Sequence, residues 1–204
     1  MHTNITQKLF EFDDEIKAKR QISLLCGIDE AGRGPLAGAV FAAAVVLKDG
    51  LFIPGLNDSK KLSEQKRDGL AEMIKANAVA YAIGTASELE IDDINILNAT
   101  FLAMNRAVAA LGVSPQLCLI DGNRDPKTEF PTELLVKGDG ISASIAAASI
   151  LAKTARDRYM KLLAEKYPRY EFDKHKGYGT KLHYELLKQY GASPVHRKSF
   201  LKNL

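Results

Sequence analysis

Three short apolar segments of this chain each lead into acidic residues flanked by glycine. The first ends at Asp29 and Glu30, the second ends at Asp121, and the third lies just before Asp139. Short apolar runs bounded by turn residues predict buried strands, and open α/β sheets bind ligands at the carboxyl ends of their strands. Acids gathered at one edge repel one another unless cations lie between them. The pattern therefore predicts an α/β fold with a divalent-cation site at a sheet edge.

Each acid also has a structural explanation when it is taken alone. Asp121 and Asp139 could be turn formers or helix caps, and segment 26–38 could be a strand end followed by a glycine turn. Asp29 and Glu30 add a geometric difficulty, because consecutive strand residues point to opposite faces of a sheet. We therefore predict that the strand ends or kinks between these two residues. A regular ladder running through Glu30 would contradict this prediction.

The remaining pattern alternates strands and helices, which predicts a mixed sheet with flanking helices. Ser63 is a suitable N-cap for a helix that runs to about Asn77. Apolar residues recur at helical spacing between 90 and 111. Strands are predicted at 22–29, 38–48, 78–85, 117–121 and 134–137, and helices at 63–77, 90–111, 141–165 and 180–190.

Composition places the chain among ordinary globular proteins. Of its 204 residues, 46% are hydrophobic and 26% are charged, which suits one domain or one domain with an appendage. No apolar run reaches the roughly 18 residues of a membrane span. The N-terminus lacks the basic segment followed by an apolar segment that is typical of a signal peptide. We expect a cytoplasmic protein with no membrane partner, in which Cys26 and Cys118 are reduced core residues.

The charge is distributed unevenly along the chain. Residues 151–204 contain 13 Lys and Arg against 5 Asp and Glu, a net charge of +8, whereas residues 1–150 contain 15 against 20, a net charge of −5. A basic segment beside a more acidic body suits a polyanionic partner. A solvated, lysine-rich surface helix is the alternative explanation.

Five motifs resemble those of the ribonuclease HII family, in the family's order. They are GIDEAGRGPLAG (27–38), NDSKKLS (57–63), LIDGN (119–123), KGD with IAAASILAK (137–153) and HKGYGT (175–180). The resemblance implies a ribonuclease H-like fold with a mixed five-stranded sheet, flanking helices and a C-terminal helical extension. We divide the chain into an N-terminal helical segment (1–21), a catalytic core (22–165) and a basic C-terminal extension (166–204).

The resemblance also implies an activity. Family members cleave the RNA strand of RNA–DNA hybrids and incise duplex DNA 5′ of single embedded ribonucleotides. The implied mechanism is hydrolysis with two Mg²⁺ or Mn²⁺ ions, leaving a 5′-phosphate and a 3′-hydroxyl. The implied metal ligands and catalytic residues are Asp29, Glu30, Asp121 and Asp139.

Recognition of RNA requires contact with a 2′-hydroxyl group. By resemblance, the backbone of Gly32, Arg33 and Gly34 reads that hydroxyl, and Tyr178 packs against the sugar on the 3′ side of the cut. Several basic residues are candidates for phosphate contacts, although each could also be simple surface charge. They are Lys60, Lys61, Lys153, Arg156, Lys174, Lys176 and Lys181.

Two other function classes are less consistent with the sequence. A catalytically silent module that binds RNA–DNA hybrids would be expected to lack at least one of the four acids, and none is missing. A phosphate-handling enzyme for small nucleotides would be expected to carry Gly-x-x-x-x-Gly-Lys-[Ser/Thr], which this chain lacks. The prediction is therefore a nuclease acting on nucleic acid, and the family leads us to expect a monomer.

Overall fold

The computed structural model describes residues 2–201, and side chains from residue 5 onward. Its strands are β1 (Leu25–Ala31), β2 (Val40–Leu47), β3 (Ala78–Ala86), β4 (Leu117–Asp121) and β5 (Thr132–Leu135). They form one sheet in the order β3-β2-β1-β4-β5. The β1–β2 and β2–β3 pairs are antiparallel, whereas the β1–β4 and β4–β5 pairs are parallel. The predicted mixed five-stranded sheet is confirmed.

Within residues 2–201, six α-helices surround or extend this sheet. They are α1 (His2–Arg20), α2 (Glu64–Asn77), α3 (Glu88–Ala109), α4 (Ala143–Lys166), α5 (Phe172–His175) and α6 (Lys181–Tyr190). Side chains cap several of their N-termini. Ser63 accepts a hydrogen bond from the Lys66 N–H, as its position predicted, and Ser87 forms a reciprocal capping box with Glu90. No helix in the part of the chain that the structure describes is long and apolar enough to cross a membrane.

The helix predicted for 90–111 begins earlier and is interrupted. Asn95 has φ 67° and ψ 165°, outside the helical region. Its Oδ1 accepts hydrogen bonds from the N–H groups of Leu97 at 3.0 Å and Asn98 at 3.1 Å. Asn95 therefore serves as an internal N-cap for the second part of α3, and asparagine tolerates a positive φ better than most residues.

Alternation along the strands assigns residues to two apolar layers. Cys26 and Ile28 of β1 pack in the cluster that includes α3 residues such as Met104, and both cysteines of the chain are free and buried. On the other face, Ala43 and Val45 of β2 pack with α2 and the small-residue part of α4. The small side chains of α4 allow it to lie close to β1, which is the strand that carries Asp29 and Glu30.

Helix α1 is tied to the beginning of α4 by a buried carboxylate. Asp13 Oδ2 accepts hydrogen bonds from the Ser144 N–H at 2.8 Å and the Ser144 hydroxyl at 2.7 Å. Negative charge is favourable at a helix N-terminus, where backbone N–H groups lack helical partners. The N-terminal segment therefore supports the helix that packs behind the acidic edge of the sheet.

Several strand boundaries differ from the predicted ones by one to three residues, and two of these differences have a visible cause. β1 begins at Leu25 rather than at residue 22, because the N–H groups of Ser23 and Leu24 bond to the side chain of Gln116. β5 ends at Leu135 rather than at residue 137. Val136 is 63% exposed, and Lys137 adopts a left-handed conformation that turns the chain. Apolar character alone could not place either boundary.

Candidate active site

Three acidic side chains from three elements converge at one edge of the sheet. Asp29 lies in β1, Asp121 ends β4, and Asp139 lies in the 3₁₀ turn after β5. One carboxylate oxygen from each residue lies within 4.8 Å of the others. The turn is held in place because Asp121 Oδ1 accepts a hydrogen bond of 2.7 Å from the Gly138 N–H. Oxygen donors at this separation fit a hard divalent cation such as Mg²⁺ or Mn²⁺.

Glu30 is positioned differently from these three residues. The β1–β2 ladder continues without a register shift through Asp29, Glu30 and Ala31, so the predicted end or kink of the strand is wrong. Glu30 lines the cleft that contains Asp29, and it also lines a second pocket near α3. The longer side chain reaches the edge of the sheet from the opposite face, where it forms an ion pair of 3.3 Å with Arg33.

Mutual proximity and burial disfavour the charged forms of these acids. Burial raises the pKa of Asp29 well above its usual value, and the charges of Glu30 and Asp121 raise it further. The pKa of Asp139 is also raised, mainly by burial and then by Asp58 and Asp121. Burial raises the pKa of Glu30, although the Arg33 cation opposes this. A bound cation would relieve this repulsion and stabilise the ionised carboxylates.

Two buried serines lie near Asp29. Both belong to the sequence motifs, which did not mark them as functional. Ser149 of α4 lines the same cleft as Asp29, and its side chain opposes the rise in the pKa of Asp29. The Ser149 hydroxyl also lies 2.9 Å from the hydroxyl of Ser59, and both serines are buried. Ser59 belongs to the NDSKKLS motif and Ser149 to the small-residue helix, but only the fold shows that they meet in the cleft that contains Asp29.

The cleft beside the acids has a glycine-rich wall and a cavity of about 290 Å³. Gly32, Arg33, Gly34 and Tyr178 all line it, as the family resemblance implied. Gly32 has φ +97°, and a Cβ there would lie 2.0 Å from Arg156 Nε, so no other residue fits. Tyr178 is 43% exposed, and its ring lies beside Gly34. The wall therefore offers bare backbone and one aromatic face to a ligand.

The candidate phosphate-binding residues fall into two groups. Lys60, Lys153 and Arg156 line the cleft. Lys60 Nζ lies 3.5 Å from Asp139, and Lys153 Nζ lies 2.6 Å from Asp157. The others pair with acids or carbonyls in their own segments: Lys61 with Asp58, Lys174 with Glu171, Lys176 with the Asp173 carbonyl, and Lys181 with Glu185.

Arg156 lies behind the glycine-rich wall and is fully buried. Its guanidinium donates to the backbone carbonyls of Ala37, Ala39 and Lys176 at 3.1–3.2 Å. These bonds join the β1–β2 loop to the segment that carries Tyr178. The contacts indicate that Arg156 supports the wall rather than presenting its charge to a phosphate.

Within the C-terminal extension, a buried histidine pair connects Tyr178 to the segment around Ser193. Ser193 donates its N–H to His196 Nδ1 at 2.9 Å, the Nε2 atoms of His196 and His183 are 3.0 Å apart, and His183 Nδ1 lies 2.9 Å from the Tyr178 carbonyl. Since the carbonyl can only accept, His183 carries its proton on Nδ1 and accepts at Nε2. His196 must then donate from Nε2. Both rings are therefore neutral.

We expect this pair to make the protein less stable as the pH falls below about 6.5. Burial lowers the pKa of His183 and of His196 from 6.5 to about 4. The unfolded chain takes up these protons at higher pH than the folded protein does, so acid favours unfolding through the window from 6.5 to 4. At pH 5 each histidine contributes a loss of roughly 2 kcal/mol in the free energy of unfolding. Denaturant unfolding at pH 7.5 and pH 5 measures the effect.

The acidic edge of the sheet changes the pH dependence of stability in the opposite direction. Asp29 and Asp139 have raised pKa values, so lowering the pH protonates them in the folded state and stabilises it. A His183→Gln variant separates the two effects, because it retains the acids and removes one titrating ring. Its loss of stability between pH 7.5 and pH 5 should be smaller than that of the unaltered protein. Equal losses in the two proteins would contradict the assignment.

The chain is similar to known ribonucleases in both sequence and fold. A sequence model described as Ribonuclease HII matches residues 26–203. Ribonuclease HII of Dechloromonas aromatica (strain RCB) is 62% identical over 179 residues, which cover 88% of this chain and 91% of the relative. The structure of ribonuclease H2 from Pyrococcus horikoshii OT3 superposes with a TM-score of 0.72 at 27% identity, covering 86% of this chain and 92% of that one.

A more distant structure shares the fold. Bst-RNase HIII in complex with Mn²⁺ has a TM-score of 0.64 and 17% identity, and the match covers 92% of this chain and 65% of that one. At this identity the likeness concerns architecture alone. It extends the ribonuclease H-like fold beyond the close relatives of the chain.

Proposed function

We propose that the acidic cleft is the catalytic centre of this protein, because the chain belongs to the ribonuclease HII family. It is therefore an endonuclease that hydrolyses the RNA strand of RNA–DNA hybrids. The observation that carries this proposal is the convergence of Asp29, Asp121 and Asp139 within 4.8 Å. Glu30 lines the same cleft and completes the set of four acids. The glycine-rich wall and Tyr178 lie directly beside them.

The enzyme is metal-dependent, as its family is, and we propose that Mg²⁺ or Mn²⁺ is the metal, with two ions in the site. The donor set fits, since all four side chains offer carboxylate oxygens, the ligands that these cations prefer. Such ions supply an activated water and stabilise the charge on the attacking and leaving oxygens. Bst-RNase HIII, which shares the fold, has been solved with Mn²⁺, and this supports the choice of metal.

The residues of the chain have distinct parts in the proposed reaction. Asp29 and Asp139 are buried, and Ser149 lies in the same cleft as Asp29. Rigid ligands of this kind keep the reacting phosphate aligned for in-line attack. Lys60 and Lys153 line the cleft and are the basic residues best placed to contact neighbouring phosphates. The proposed products carry a 5′-phosphate and a 3′-hydroxyl.

Selection of the cleavage site depends on the sugar. We propose that backbone N–H groups of the Gly32–Gly34 wall contact the 2′-hydroxyl, and that Tyr178 packs against the next sugar on the 3′ side. Both lie in the cleft beside the acids. A deoxyribose lacks the hydroxyl that the wall would recognise. The enzyme should therefore incise duplex DNA only 5′ of an embedded ribonucleotide.

A pair of duplexes tests this function. One DNA duplex carries a single ribonucleotide and the other is its all-DNA counterpart, and each is incubated with Mg²⁺, with Mn²⁺ or with EDTA. We expect incision of the first duplex alone, and only with a metal. Binding without incision would favour a hybrid-binding module instead, whereas incision of both duplexes or of neither would contradict the proposal.

We further propose that the enzyme acts as a monomer in the cytoplasm. The wall, Tyr178, Asp29, Glu30 and Asp121 line one cleft of a single chain, and Asp139 of the same chain lies within 4.8 Å of Asp29 and Asp121. The site therefore needs no residue from a second copy.

A further inference from the structure

Arg197, in the C-terminal extension, is fully buried directly behind the glycine-rich wall. Its Nη2 donates to the Gly32 carbonyl at 2.6 Å, and its Nη1 donates to the Arg33 carbonyl at 2.9 Å. The Gly38 carbonyl accepts from Nε at 2.9 Å and from Nη2 at 2.6 Å. One guanidinium therefore holds carbonyls at both ends of the β1–β2 loop.

This burial is costly, because within residues 5–201 Arg197 forms no ion pair. Burial lowers the pKa of Arg197 to about 9, and the nearby cation of Arg156 adds to the effect. A buried charge satisfied only by neutral carbonyls destabilises a fold relative to an apolar packing of the same space. The planar fork of donors, however, fixes the direction of several carbonyls at once.

Fixing a carbonyl also fixes an N–H group. In a trans peptide the C=O of one residue and the N–H of the next lie in one plane and point in opposite directions. The Gly32 carbonyl points back to Arg197, so the Arg33 N–H points away from it. By the same argument, the Arg33 carbonyl sets the direction of the Gly34 N–H. Gly32, Arg33 and Gly34 line the cleft on the side away from Arg197.

We propose that Arg197 is a positioning residue for ribose recognition, which aims the N–H groups of Arg33 and Gly34 at the sugar 2′-hydroxyl. The proposal rests on the proposed function, in which this wall reads the hydroxyl. Arg197 does not touch the substrate itself. It makes the specificity of the core depend on the C-terminal extension.

The surrounding backbone supports this role. The Arg197 N–H donates to the Leu36 carbonyl at 2.9 Å, and the Gly38 N–H donates to the Val195 carbonyl at 2.9 Å. Ala37 and His196 form an antiparallel bridge. The extension therefore docks against the loop through backbone hydrogen bonds, and Phe200 covers the guanidinium with its ring centroid 5.2 Å away. These contacts leave Arg197 one orientation.

The test compares affinities for two duplexes in EDTA, so that neither is cut. One DNA duplex carries a single ribonucleotide, and the other is all DNA. The unaltered enzyme should prefer the first. An Arg197→Lys variant keeps the charge and loses the planar fork of donors. Its preference for the ribonucleotide-containing duplex should fall by about tenfold, which corresponds to the loss of one or two hydrogen bonds. Its affinity for the all-DNA duplex should be nearly unchanged. Fluorescence anisotropy gives both affinities.

Controls separate positioning from general stability. Arg106→Lys is the matched change, since Arg106 donates to the Thr85 carbonyl at 2.8 Å, outside the cleft lining, and its preference should equal that of the unaltered enzyme. Arg197→Gln, which removes the buried cation, replaces Arg197→Lys if the latter does not fold. A folded Arg197 variant with the full preference, or with equal losses on both duplexes, overturns the inference. If the unaltered enzyme binds both duplexes equally well, the result instead contradicts the proposal that the wall recognises the 2′-hydroxyl.

Discussion

Replacing Asp121 by Asn should reduce cleavage of an RNA–DNA hybrid by at least about a hundredfold while leaving the fold intact. The change removes one negative charge from the cluster that would hold the metal. The amide oxygen of Asn can still accept the bond that the Gly138 N–H now donates to Asp121. Single-turnover cleavage with Mg²⁺ or Mn²⁺ measures the loss, and circular dichroism reports the fold.

Stability provides a second readout for the same variant. Asp121 contributes to the raised pKa of both Asp29 and Asp139. Removing its charge relieves repulsion, so in EDTA the variant should unfold at the same temperature or a higher one. Asp125→Asn is the matched control, because Asp125 lies nearby in sequence and pairs with Lys127. The control should cleave normally, and near-normal cleavage by Asp121→Asn would refute the assigned site.

The sequence was sufficient to predict the acidic edge, because its signal is local. Asp29 and Asp121 end apolar runs, and the parallel pairing of their strands brings such ends together. The prediction failed at Glu30, where the alternation rule suggested a kink. The structure keeps the strand regular and uses the greater length of glutamate to reach the edge from the opposite face. Local alternation gives the direction of a side chain but not how far it reaches around the end of a sheet.

Contacts that depend on tertiary packing left no such signal. Arg197 lies 159 residues from Gly38 in sequence, in a basic segment where the charge pattern indicates solvent exposure. The pairing of His183 with His196 depends on how α6 packs. Arg156 suited a phosphate-binding role by residue type, but the fold buries it. In each case the residue type allowed several roles, and burial decided among them.

Gly27→Ala should destabilise the protein by at least about 3 kcal/mol. A Cβ at Gly27 would lie 2.0 Å from the Ser144 carbonyl carbon and 2.3 Å from the Ile145 nitrogen. Both atoms are backbone at the beginning of α4, so no side-chain rotation can relieve the contact. The helix or the strand must shift instead. Urea unfolding at pH 7.5 measures the change, with Gly69→Ala as the control.

Gly69 makes the comparison informative because it lies in α2, where an added Cβ would meet no neighbouring atom within 4 Å. Alanine there should stabilise the helix by about 0.5–1 kcal/mol. Gly27 lies two residues before Asp29 on the same face of β1, so displacement of α4 would also move Ser149 away from that carboxylate. Any folded Gly27→Ala protein should therefore bind Mn²⁺ more weakly, as titration calorimetry can measure. A variant with unchanged stability and unchanged Mn²⁺ affinity would show that the close approach of α4 to β1 does not build the site.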